Sequence, residues 1–156
     1  MGSAGFRDVI FRVVRCGLFV AAAVLMSSCS FYLSNDSVPD DARQKAEKIV
    51  YEVGNGWDVQ TFDRYTAPEF TKGVKPAQVH KLWAIFKRKL GRIVALKISD
   101  SKMRATVGAG GSSNQYTYDW KATFAHGDGD LQLITIDRGS GQRILNWNIN
   151  SEQLIE

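Results

Sequence analysis

The stretch Pro76-Ala77-Gln78-Val79-His80-Lys81-Leu82-Trp83-Ala84-Ile85-Phe86-Lys87-Arg88-Lys89-Leu90-Gly91-Arg92-Ile93-Val94-Ala95-Leu96-Lys97-Ile98 decides the fold. Its first half repeats with the period of a helix. Val79, Leu82, Trp83, Phe86 and Leu90 fall on one face, while Lys81, Lys87, Arg88 and Lys89 crowd the rest. Pro76 opens this helix and Gly91 is placed to end it. Beyond Gly91 the apolar period drops from 3.6 to 2. Val94, Leu96 and Ile98 then share one face of a strand predicted over Arg92 to Val107. The chain therefore divides into a helical half and a strand half.

Upstream, Ala42, Ala46, Ile49, Val50 and Val53 form a stripe at helical spacing. Asp40 or Asp41 serves as its cap, and Gly54-Asn55-Gly56 as its end. Trp57 to Tyr65 reads as a short second helix with Val59 and Phe62 inward, stopped by Pro68, and Glu69 to Lys75 as a loop. Downstream, Gly108 to Asn114 is a glycine-rich turn. Tyr116 to His126 alternates Tyr116, Tyr118, Trp120, Ala122 and Phe124 against polar residues. Gly127-Asp128-Gly129 makes a hairpin and Leu131 to Asp137 a strand whose phase slips between Leu133 and Ile134, which predicts a bulge there. Arg143 to Asn150 is the last strand, with Leu145, Trp147 and Ile149 together. Three helices followed by four strands on short turns predict an α+β domain over residues 40–156. Its helices pack on one face of a four-stranded antiparallel meander.

The chain has 156 residues and a formal charge of +4. Residues 1–28 carry Arg7, Arg12 and Arg15 against Asp8, and the rest carries 17 basic against 15 acidic side chains. A net charge that small gives little counterion-release drive, so composition speaks against a nucleic-acid partner. Ahead of the domain stand a basic segment, an apolar run of about ten residues from Gly17 to Met26, and Ser27-Ser28-Cys29. The run is half of what a spanning helix needs, roughly 20 residues. This layout resembles the signal sequence of bacterial lipoproteins, with Met26 where Leu is usual. The resemblance implies cleavage after residue 28, lipidation of Cys29, and a tether over residues 29–39. Ser30 after the cysteine resembles the outer-membrane sorting choice, which implies a location in the cell envelope, facing the periplasm. Cys16 is lost with the leader, so Cys29 has no partner for a disulfide, and a thioether-linked lipid accounts for it.

Within residues 40–150, Trp57 to Phe62 through Phe70, the run Trp83 to Arg92, and Arg143 to Ile149 resemble the nuclear-transport-factor-2-like (cystatin-like) fold. The likeness is to its small secreted bacterial families. It implies a curved sheet closed by helices into a cone, and that fold hosts enzymes, binding modules and scaffold subunits alike.

The aromatic row makes the cone the candidate pocket, with Trp83, Phe86, Tyr116, Tyr118, Trp120, Phe124 and Trp147 as its lining. The competing account is that the same row is core facing the helices. Enzymes of this fold place Asp, His or Tyr inside the cone, which makes Tyr65, Tyr116, Tyr118, Asp119 and Asp137 the residues to inspect. Alternation turns Asp119 away from the aromatic side, and base work needs a buried, raised-pKa carboxyl. His80 falls with the cationic helix face. His126 beside Asp128 and Asp130 fits a turn better than a metal site, because calcium wants six or more oxygens. Gly108-Ala109-Gly110-Gly111 lacks the Lys-Ser/Thr ending of a phosphate loop. The cluster Lys81, Lys87, Arg88, Lys89 and Arg92 reads as a solvated helix face, with contact to anionic lipid or lipopolysaccharide as the alternative. The expectation is a membrane-anchored, non-enzymatic binding domain for a partner protein or a small apolar ligand, with no cofactor or metal. A homodimer is open. The rivals are an envelope assembly scaffold, marked by an exposed apolar sheet face, and a small isomerase or hydrolyase, marked by a cavity holding an ionisable group.

Overall fold

The computed structural model describes residues 31–35, 37–108 and 111–155. The leader and Cys29 lie outside the described residues. A short strand β1 (Phe31–Asn35) leads into four helices: α1 (Asp40–Gly56), α2 (Val59–Tyr65), α3 (Pro68–Gly73) and α4 (Pro76–Lys89). The strands β2 (Ile93–Gly108), β3 (Gly111–Phe124), β4 (Gly127–Asp137) and β5 (Gln142–Asn150) follow, and a 3-10 turn, Glu152–Leu154, comes after them. The sheet runs β1-β2-β3-β4-β5, and β2 to β5 pair as an antiparallel meander. The α+β class and the helix-then-meander order are as the sequence predicts. Among the described residues no helix is long and apolar enough to cross a membrane.

Among the described residues the helices number four, not the expected three, because Pro68 starts a helix instead of stopping one. It occupies the first helical position, where its missing N–H is no loss and its fixed φ is already helical. The stretch read as a tether also carries β1. At α1 the cap is Pro39, without a side-chain hydrogen bond. Asp40 and Asp41 sit instead in the first turn, where carboxylates favour the positive end of the helix dipole. The helix runs through Gly56 and ends at Trp57, whose φ of 49° is left-handed. Trp57 holds that conformation through its backbone N–H to Val53 O at 2.9 Å and its indole Nε1–H to Gly91 O at 2.7 Å. Asp58 then caps α2, accepting from the Thr61 N–H at 2.8 Å.

The strand phase differs from expectation in two places. At the start of β2 the pairing shifts between Ile93 and Ala95, so Ile93 is buried and Val94 is 51% exposed. In β4, Leu131, Leu133 and Thr135 alternate inward without a break. The bulge belongs to β5: Ile134 faces Asn146 and Thr135 faces Ile144, which leaves Leu145 as the extra residue. Gln142 and Ile144 therefore point inward before it, and Trp147 and Ile149 after it. The β3–β4 turn is Ala125-His126, two residues earlier than the glycines suggested, with Phe124 paired to Gly127.

One core joins the inward faces of α1, α2 and α4 to the sheet. Within it Trp57, Phe62, Trp83 and Trp147 pack edge to face, with ring centroids 4.6 Å apart for Phe62 and Trp83 and 5.7 Å for Trp57 and Trp83, and Phe86 lies tilted against Trp57 and Trp83. Such pairs contribute about 0.5–1.5 kcal/mol each beyond their area. Leu82, predicted inward, is 43% exposed.

Candidate functional site

The proposed cone lining is part of the buried core. Trp83, Phe86, Tyr116, Tyr118, Trp120, Phe124 and Trp147 are all buried, and Tyr118 stacks between Tyr116 and Trp120 at 6.1 and 5.2 Å. These side chains occupy each other's space and make core. The hydroxyl of Tyr118 donates to Ala42 O at 3.1 Å. Gln142 donates to the same carbonyl at 2.8 Å and accepts from Thr135 Oγ1 at 2.8 Å. Burial pushes the Tyr118 hydroxyl far up, so it stays protonated. This network ties the start of α1 to the sheet; nothing in it is free to take a substrate proton.

The carboxylates named from sequence are engaged in structure. Asp137 accepts the N–H groups of Gly139 and Gly141, holding the β4–β5 turn. Asp119 accepts from Gln132 Nε2 at 2.8 Å across to β4, on the outer face. Tyr65 donates to Glu52, and that hydrogen bond raises its pKa. The outer sheet face carries Thr117, Asp119, Lys121, Thr123, Gln132, Asn146 and Asn148 together with the half-buried Ile134 and Ile136, so it is mostly polar. His126 is exposed at the hairpin, and among the described residues no cluster of His, Cys, Asp or Glu is arranged for a metal.

The open apolar space lies outside the cone, among the short helices. Ala67 N–H donates to Ile144 O at 2.9 Å, and Thr66 makes an isolated parallel bridge to Ile144. This staples the α2–α3 junction to β5, and α3 lies between that junction and α4 in the chain. Between them is a cleft of about 410 Å³. Its floor is Phe62 and Ala67, and its walls are Val59, Pro68, Phe70, Val74 and Val79. Phe62 meets Phe70 edge to face at 5.2 Å, so aromatic surface continues from floor to wall. At the rim, Thr66 and Thr71 donate to the backbone carbonyls of Phe62 and Pro68, at 2.8 and 2.9 Å. Asp63 and His80 complete the rim as exposed polar groups. A smaller apolar recess of about 170 Å³ shares Phe70, Val74 and Val79 and is closed by Leu82, Trp83 and Trp147. The site is hidden in the sequence because Glu69 to Lys75 is too short to show a helical period. Its available signal was Pro68 and Pro76 bracketing Phe70 and Val74: two helix starts eight residues apart with an apolar residue under each.

A second cleft, of about 440 Å³, is basic and lined by Lys45, Lys48, Arg64, Tyr65 and Arg143. Its cations are largely committed. Lys45 pairs with Asp41 at 3.1 Å, Lys48 lies 3.8 Å from Glu52, and Arg143 donates to Arg64 O.

No family model, curated protein or solved structure matches the chain, so the functional reading rests on this geometry.

Proposed function

We propose that the protein is a lipid-anchored binding domain of the bacterial cell envelope, without catalytic chemistry of its own. Its site is the cleft among α2, α3 and α4, which takes a small, largely apolar ligand or a single apolar side chain of a partner protein. The observation that carries the reading is the cleft itself. It has a volume within the range of small-molecule sites, apolar walls, and few polar groups confined to the rim. The engaged state of Asp119, Asp137 and Tyr118 argues against the isomerase or hydrolyase alternative. The lipid anchor rests on the Ser27-Ser28-Cys29 leader and its sole remaining cysteine. The likeness to the nuclear-transport-factor-2-like fold is supported by the helix-then-meander order and by the inward aromatic row.

The test is titration with N-phenyl-1-naphthylamine, a neutral apolar fluorophore. Saturable enhancement is expected, abolished by Val74→Trp, which fills the cleft from its wall. Binding that is absent, or equal in Val74→Trp and the parent, contradicts the reading.

A further inference from the structure

Charge in this chain is segregated far more than its small net value suggests. Residues 70–99 hold eight basic side chains and no acidic one. The remainder of residues 29–156 holds nine basic and 15 acidic side chains, so a +8 segment is balanced by −6 elsewhere. Five of the eight, Lys81, Lys87, Arg88, Lys89 and Arg92, sit on or just past α4, and none of them forms an ion pair among the described residues. The elements packed against α4 bring Asp63 from α2 and Glu152 from the 3-10 turn, and neither is paired to it.

The same helix carries apolar residues on its solvent side. Leu82 is 43% and Ile85 38% exposed, although Val79, Trp83, Phe86 and Leu90 already supply the buried stripe. Lys81, Ile85, Arg88 and Lys89 follow helical spacing, and Leu82 stands three residues before Ile85 and seven before Lys89. Two exposed aliphatic side chains are thus flanked by three unpaired cations on one surface.

We infer that this outer face of α4 lies against the anionic headgroup layer of a membrane, with Lys81, Arg88 and Lys89 among the phosphates and Leu82 and Ile85 at the acyl boundary. Long cationic side chains bury their stems along apolar surface while their charges remain at headgroup level. The acidic remainder of the domain is repelled by the same surface, which orients the protein with α4 toward it. The contact is reversible and salt-sensitive, and distinct from a covalent lipid at Cys29.

The experiment uses the full chain carrying Cys29→Ala, so that no attached lipid contributes. It compares this parent with the same chain bearing Lys81→Gln, Arg88→Gln and Lys89→Gln, on vesicles of phosphatidylcholine alone and on vesicles with about 30 mol% phosphatidylglycerol, which supplies the anionic surface. Both proteins share the leader, so their difference belongs to the helix. Each basic residue near an anionic surface contributes about fivefold in affinity, so the triple variant is expected to bind anionic vesicles roughly a hundredfold more weakly. The gap between the two proteins should close as salt shortens the Debye length. A second pair, Leu82→Ser with Ile85→Ser, tests the apolar part and keeps every charge; it should also weaken binding. Equal binding of parent and triple variant to anionic vesicles overturns the inference. So does a parent indifferent to phosphatidylglycerol, which would assign the face to an acidic protein surface.

Discussion

At the residue scale, the tightest demand falls on Gly54. A Cβ there would meet Ile93 Cδ1 at 2.2 Å and Cγ1 at 2.7 Å, so α1 reaches the start of β2 only because this position has no side chain. Overpacking costs about 1–3 kcal/mol, which exceeds the roughly 1 kcal/mol that Ala gains over Gly inside a helix. Gly54→Ala is expected to lower the free energy of unfolding in a urea titration. Combined with Ile93→Ala, which removes both opposing atoms, its penalty should shrink, and a simple sum of the two penalties would contradict the close approach. Gln142 is the second such residue. Replacing it by Leu leaves the buried Thr135 hydroxyl without its acceptor and Ala42 O without its closest donor, at a cost of about 1–3 kcal/mol. Chemical denaturation measures this; an unchanged midpoint would mean the network does not hold α1 to the sheet. Gln142 illustrates what sequence reading loses. A glutamine just after a glycine turn looks solvated, and only the phase of β5 shows that it points inward.

At the element scale, the bulge at Leu145 sets that phase. Side chains alternate with period 2, so removing one residue turns everything before it to the opposite face. Deletion of Leu145 would send Gln142 and Ile144 outward and bring Arg143 in, and loss of the cooperative thermal transition is expected. Leu145→Thr keeps the extra residue and should still melt cooperatively; a deletion variant that melts like the parent would contradict the assignment. The alternation Tyr116 to Phe124 and the stripe Ala42 to Val53 were legible because each is a long, unbroken repeat. The bulge was assigned to the wrong strand because Ile134 and Ile136 on the outer face of β4 imitate a phase slip. Residues Pro68–Gly73 were missed because six residues are too few to show a helical period; the proline, not the pattern, marks them.

At the scale of the whole molecule, the α+β class was legible in the sequence and the open apolar space was not. Aromatic residues on the inner sheet face were read as the lining of a cone, yet they are large enough to fill it, which displaces the open apolar space to the gap between short helices. For the address, Cys29→Ala should release the protein from membranes washed with 1 M salt, where the cationic face of α4 is screened and only a covalent lipid holds. Retention of the variant through that wash would contradict the anchor. The central claim, that the cleft among α2, α3 and α4 binds small apolar ligands, is tested most directly by methyl-resolved nuclear magnetic resonance during titration with N-phenyl-1-naphthylamine. The account predicts saturable shifts concentrated on the methyls of Val59, Thr71, Val74 and Val79. Shifts confined to methyls elsewhere, or none at all, would contradict it.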